Sequence, residues 1–227
     1  MATVLLIRHG QASYGQADYD RLSSRGAQQA KALGEFLATQ KLDAVFAGPH
    51  VRQRETAAIA REHARFVEPV ELADFAEYPG LELVTKLLPR LIAEDAALAT
   101  HDAAKLPGHA FNTILDKWAR DEWHHDEVER VGAFTARVKR GLERVIGAAG
   151  SGARVAIVTS AGPIGVAVGT IFGASDHHMV RTSLVVRNAS ISELKIRTRD
   201  FAWHPDKASL VAFNSVAHLP ADLHTEY

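Results

Sequence analysis

Apolar residues fall into a few sharply bounded runs. Val4-Leu5-Leu6-Ile7 is continuous, as expected of a strand buried on both faces, and it stops at Arg8-His9-Gly10, which puts polar side chains at the strand's carboxyl end. The polar stretch Gln11 to Arg21, with Gly15 inside it, reads as a loop. Ser23 has the chemistry of an N-cap, and behind it Ala27, Ala30, Leu33 and Leu37 keep helical spacing through Thr39. Asp43-Ala44-Val45-Phe46-Ala47 reads as a second strand, broken by Gly48-Pro49, with a helix from Val51 to His63. Phe66 to Val70 is a short extended piece, and from Leu81 to about Ala149 the pattern is mostly helical, interrupted at Pro107-Gly108. Arg154 to Thr159 is the clearest later strand; Ser160-Ala161-Gly162-Pro163 and an apolar helix from Ile164 to Ile171 follow it. Alternating patterns at Leu184–Val186, Ile191–Ile196 and Ser209–Phe213 suggest three closing strands.

Strands alternating with helices predict an α/β fold: a three-layer α/β/α sandwich whose sheet is mostly parallel with an antiparallel edge. With no repeat, low-complexity tract or linker, residues 1–227 are expected to form a single domain with a helical insertion at about 81–127.

Charge and composition narrow the function classes. The 227 residues carry 26 basic and 27 acidic side chains, a net charge of -1, which argues against a broad nucleic-acid footprint but leaves room for a small basic pocket. There are no cysteines, so disulfides, thiolate metal sites and cysteine nucleophiles are excluded. Met1-Ala2-Thr3 runs straight into the first strand without a basic leader, and no stretch reaches the roughly 20 apolar residues of a membrane helix, so a soluble, cytoplasmic protein is expected.

The chemistry lies at the strand ends, where open α/β sheets bind ligands. A neutral imidazole such as His9 is nucleophilic near pH 7 and can accept a phosphoryl group directly, giving a phosphohistidine. The adjacent Arg8 can grip phosphate oxygens bidentately, and Gly10 lets the backbone approach a ligand. Ser160-Ala161-Gly162-Pro163 looks like a helix N-terminus with proline in the first turn, whose free N–H groups favour an anion. His124-His125 and His177-His178 lack partners at metal-ligand spacing and read as solvated, so no metal site is expected. Arg137, Lys139, Arg140 and Arg144 read as a charged helix face, and Trp118 and Trp123 as packing groups.

Four segments, in order, resemble the histidine phosphatase superfamily, also called the phosphoglycerate mutase-like family. They are Leu6-Ile7-Arg8-His9-Gly10-Gln11-Ala12; Leu22-Ser23-Ser24-Arg25-Gly26-Ala27-Gln28-Gln29-Ala30; Gly48-Pro49-His50-Val51-Arg52-Gln53-Arg54-Glu55-Thr56-Ala57; and Glu77 with Gly80 and Glu82. The resemblance implies that His9 is the nucleophile and that Arg8 and Arg52 bind the transferring phosphate. It makes Glu77 the general acid for the leaving oxygen, with Glu82 as its rival. It also implies no cofactor and a phosphoglycerate mutase-like fold. Its partner would be a small phosphorylated substrate, neither nucleic acid nor membrane, and a homodimer is compatible with it.

One departure matters. The family's Ser-His-Gly-Gly at the end of the late strand reads Thr159-Ser160-Ala161-Gly162 here, so Ser160 stands where a second histidine should donate to the phosphate. A serine hydroxyl brings a hydrogen bond but no charge, and losing one transition-state donor commonly costs roughly 3–4 kcal/mol. The N–H groups of the Ser160-Ala161 helix terminus, or a histidine from elsewhere such as His50 or His109, are the expected compensations. The family's asparagine beyond Arg-His-Gly is also missing: Gly15 falls near that position, with Gln11 and Gln16 close by and Gln11 expected on the phosphate.

The leading expectation is a metal-independent phosphomonoesterase working through a phosphohistidine. A phosphoglycerate mutase and a catalytically impaired phospholigand-binding protein are the alternatives. Lys86, Arg90 and Lys105, in the variable segment, are candidates for selecting a second anionic group.

Overall fold

The computed structural model describes residues 1–13, 20–95, 108–199 and 203–225. Gly15, Gln16 and Lys105 lie outside the described residues. Six strands, β1 (Ala2–Arg8), β2 (Ala44–Ala47), β3 (Val70–Glu71), β4 (Arg154–Thr159), β5 (Ile191–Ile196) and β6 (Ala208–Ser215), form one sheet in the order β3-β2-β4-β1-β5-β6. β1 runs parallel to β4, β4 to β2 and β2 to β3, whereas β5 is antiparallel to both β1 and β6. This is the expected parallel sheet with an antiparallel edge.

The helices are α1 (Ser24–Leu37), α2 (Val51–Ala64), α3 (Gly80–Glu94), α4 (Gly108–Ala119), α5 (Val131–Ala149), α6 (Ala161–Ile171) and α7 (Asp176–Ser183). Period-2 alternation in the strands sorts them into two layers. Leu5, Ile7, Val45, Ala47, Ala156 and Val158 face Leu33 and Leu37 of α1 and Ala57 and Ala60 of α2. Val4, Leu6, Val155 and Ile157 point the other way, into a larger core that takes side chains from α3 to α7. Trp118 and Trp123 are buried in that second core, as packing groups should be. None of the helices among the described residues is long and apolar enough to cross a membrane.

Three expectations change. Leu184–Val186 is not a strand: Leu184 caps α7 and the turn after it carries Leu184 and Val185 exposed, because three alternating residues next to a helix end have no partner strand to pair with. The extended piece before the acidic loop shrinks to the two residues of β3. His177 and Arg137 are not solvated. His177 Nε2 sits 2.6 Å from Asp116 on α4, with 11% of its side chain exposed, and Arg137 is held bidentately by Glu129.

The last described segment is tied back to the sheet's carboxyl end. Buried Gln29 donates to the Leu223 carbonyl at 2.7 Å and to Thr225 Oγ1 at 2.8 Å while its Oε1 accepts from the Gln11 N–H at 2.8 Å. His218, in the same segment, stacks on Phe36 of α1 with ring centroids 5.3 Å apart.

Burial pulls the His218 pKa down to about 4, the Ala189 carbonyl pulling weakly the other way. A depressed folded-state pKa means that the unfolded chain binds the proton first. The stability His218 lends is therefore present above pH 6.5 and is lost as pH falls from 6.5 toward 4. Urea unfolding across that window should show wild-type stability falling with acid, and a shallower slope in His218→Gln; equal slopes would refute the assignment.

Candidate active site

β1 delivers the catalytic motif. His9 continues the strand, its N–H donating to the Thr159 carbonyl at 2.8 Å and its carbonyl accepting from the Ala189 N–H at 3.1 Å. The imidazole is buried, with 5% exposure. Gly10 is required for a reason the sequence did not suggest: a Cβ there would lie 2.5 Å from the carbonyl oxygen of Gly26 in α1. The loop after β1 and the first turn of α1 thus pack backbone on backbone, so the glycine is needed for this packing.

α2 brings the second set of groups. Thr56 Oγ1 accepts from the Gly10 N–H at 3.0 Å and donates to the Arg52 carbonyl at 2.7 Å, linking helix and loop. Arg52, 8% exposed, directs Nε–H at His9 Nε2 over 3.1 Å. On the other side of that ring, Nδ1 is 2.6 Å from the Gly10 carbonyl oxygen. A carbonyl only accepts and a guanidinium only donates, so the proton sits on Nδ1 and the lone pair on Nε2. Burial, reinforced by the charges of Arg52 and Arg8, holds the His9 pKa well below the ordinary histidine value and keeps the ring neutral. Arg8 is half-buried and donates through Nη1 to the Val186 carbonyl in the turn after α7.

Glu77 comes from the loop ahead of α3. Its Oε1 accepts from the Gly162 N–H at 3.0 Å and the Tyr78 N–H at 3.0 Å, and Oε2 accepts from Gly162 at 3.2 Å. Burial raises its pKa above the ordinary carboxyl value; those N–H groups, Arg52 and Arg8 oppose the rise without cancelling it. Glu82, the rival acid, is exposed in the first turn of α3.

At the helix terminus, Ser160 and Gly162 have partners within the chain. Ser160 is fully buried and its Oγ accepts from Gln53 Nε2 at 2.8 Å, while the Gly162 N–H is taken by Glu77. The reason is competition: a carboxylate of the chain itself occupies the positive end of α6, and a short hydroxyl turned onto Gln53 cannot reach past it. Ala161, 9% exposed, has only its backbone N–H to offer an anion. Gln11 Oε1 accepts from Ser23 Oγ, the N-cap of α1, at 3.0 Å.

Of the two substitute histidines, His109 is exposed at the start of α4, whereas His50 joins the site. His50 Nε2 accepts from the Glu77 N–H at 3.2 Å and its Nδ1 lies 3.9 Å from Asp20 Oδ2. Burial, then Arg52, lowers its pKa, so it too is a neutral ring, used as a strut for Glu77.

Sequence reasoning missed Asp20 and Gln53. Asp20 pairs with Arg52 Nη1 and accepts from the Val51 N–H at 2.9 Å. Gln53, fully buried, holds Ser160, the Phe75 carbonyl and the His50 N–H together. The only available signal was polarity at a position that helical spacing puts on the buried face of α2. Among the described residues no group of three or more His, Asp or Glu side chains could hold a metal ion.

Comparison with known proteins agrees with this geometry. The sequence profile of the histidine phosphatase superfamily (branch 1) matches residues 4–205. No curated protein matches the chain in sequence. Similar solved structures include a phosphoserine phosphatase variant from Entamoeba histolytica in complex with phosphoserine, with TM-score 0.68 and 17% identity, covering 97% of this chain and 100% of that one. A mycobacterial glucosyl-3-phosphoglycerate phosphatase has TM-score 0.66 and 18% identity over 94% of this chain and 98% of its own. A phosphoglycerate mutase from Bacillus anthracis has TM-score 0.62 and 16% identity over 96% and 94%. The fold is theirs, and the match over residues 4–205 decides the family: the chain belongs to the histidine phosphatase superfamily, branch 1, and is an enzyme of the phosphoryl-transfer kind.

Proposed function

We propose that this enzyme is a phosphomonoesterase that works through a phosphohistidine on His9 and acts on a small phosphorylated metabolite. The observation that carries this reading is the single neutral tautomer of His9, with its Nε2 lone pair directed at Arg52. In the first step Arg52 exchanges the imidazole for phosphate oxygens, and Nε2 attacks phosphorus in line with the leaving oxygen. The phosphorus–oxygen bond breaks as Glu77 delivers its proton to that oxygen. In the second step the Glu77 carboxylate takes a proton from water, whose oxygen attacks phosphorus; the nitrogen–phosphorus bond breaks and phosphate departs. Arg8 and Arg52 offset the charge on the equatorial oxygens.

Glu77 suits the acid role because Oε1 takes two N–H groups while Oε2 shares only one of them, which leaves Oε2 the better place for the proton. Its seat depends on Gly162, where a Cβ would lie 2.0 Å from Glu77 Oε1. A mutase must also hold a second anionic group, and the two candidate cations of the variable segment among the described residues, Lys86 and Arg90, are already engaged. Lys86 pairs with Glu127, and Arg90 lies over the Trp123 ring, 4.6 Å from its centroid. These pairings favour hydrolysis over transfer back to the substrate.

Incubation with a phosphorus-labelled monoester should leave acid-labile label on wild-type protein and none on His9→Ala; label retained by His9→Ala sinks the nucleophile. Glu77→Gln should lower turnover of alkyl phosphates by roughly 100- to 10,000-fold, and far less for p-nitrophenyl phosphate, whose leaving group needs no proton. Gly162→Ala should reproduce that substrate-dependent loss. In the pH profile, activity needs Glu77 protonated and His9 neutral. It should therefore fall as pH rises through the raised Glu77 pKa, and on the acid side only below the ordinary histidine range. A basic limb that survives Glu77→Gln would assign the proton to another group.

A further inference from the structure

We infer that Asp20 is a positioning residue for the phosphoryl transfer, acting through Arg52; this rests on the His9 reading above. Three contacts carry the inference. Asp20 Oδ1 pairs with Arg52 Nη1, Oδ2 accepts from the Val51 N–H at 2.9 Å, and His50 Nδ1 lies 3.9 Å from Oδ2. The carboxylate is thus seated on the first turn of α2, and from that seat it grips one edge of the guanidinium whose Nε meets His9.

An arginine has a long side chain with several rotatable bonds, and one that must serve both a nucleophile and a phosphate gains from being held at a third point. Asp20 supplies that point from a firm support. It ends the loop between Ala12 and Leu22, which bridge each other, while Ser13 N–H donates to the Arg21 carbonyl at 2.8 Å. The stem is fastened to α2 again through Glu55, which accepts from the Leu22 N–H at 2.9 Å and from Arg21 at 3.0 Å. A continuous set of contacts therefore joins the loop stem, α2 and the Arg52 guanidinium. With 35% of its side chain exposed against 10% for Arg52, the pair sits at the rim of the site, where ion pairs add little to stability.

Aspartate and asparagine cap a helix N-terminus about equally, so Asp20→Asn keeps the contact with Val51 and removes the charge that holds Arg52. Steady-state kinetics with p-nitrophenyl phosphate should show kcat lowered roughly 10- to 100-fold, the range expected of small misplacement in a catalytic group. KM should stay level or fall, since a negative charge has left the phosphate's neighbourhood. The melting temperature should stay close to wild type, and nitrogen NMR should show the Arg52 Nε–H losing its bond to His9 Nε2. Unchanged kcat overturns the inference, and so does a lower KM at unchanged kcat, which would make Asp20 a mere competitor of phosphate. A fall in activity matched by loss of folded protein also overturns it. If wild-type protein neither turns over nor labels, the phosphatase reading fails; an intact Arg52–His9 bond in Asp20→Asn would separately defeat the positioning role.

Discussion

The bond from Arg52 Nε–H to His9 Nε2 organises the site. A cation within hydrogen-bond distance of an imidazole is useful only if the ring stays neutral, since two positive groups at 3.1 Å with little water between them repel strongly. Burial of His9 at the end of β1 provides that neutrality, and Arg8 adds to it. The Gly10 carbonyl then chooses the tautomer. Each of these conditions traces to the fold. Parallel pairing of β1 with β4 places His9 against Thr159, and Gly10, next along the chain, packs backbone on backbone against Gly26 of α1.

The chain uses its own carboxylates where a phosphate-binding protein could leave helix termini open. Glu77 sits on the N–H of Gly162 in α6, and Asp20 on that of Val51 in α2. Both termini are positive ends that would otherwise attract an anion. With those N–H groups taken by acids, the proposed reaction relies on the guanidiniums of Arg8 and Arg52 to bind phosphate. The two acids sit differently: burial raises the pKa of Glu77, while the partly exposed Asp20 pairs with Arg52.

Most of the fold was legible because buried strands and amphipathic helices write their period into the chain. The run Val4 to Ile7, the N-cap at Ser23 and the strand Arg154 to Thr159 fall where the pattern put them. Leu184–Val186 misled because alternation over three residues does not specify a pairing partner. In the site, Arg8, His9, Arg52 and Glu77 could be named from ordered motifs. Asp20 could not, because its role depends on a loop returning to α2 rather than on any spacing. The helix N-terminus at Ser160-Ala161 is visible in sequence, but the pairing of its Gly162 N–H with Glu77, 85 residues away, is not.

Gln53 holds the Ser160 hydroxyl. Its amide donates to Ser160 Oγ and to the Phe75 carbonyl, and its Oε1 accepts from the His50 N–H. Phe75 lies just ahead of Glu77 in the chain, and His50 accepts the Glu77 N–H. One buried amide therefore joins the end of β4, the acid loop and the start of α2. A polar residue sealed this deeply is costly unless every group is paired, and here the amide and its partners satisfy one another. The serine that looked like a weakened phosphate ligand is thus better understood as an anchor in the floor of the site. In the proposed reaction the positive charge for the transferring phosphoryl group comes from Arg8 and Arg52, which is why the setting of the Arg52 guanidinium bears so directly on the chemistry.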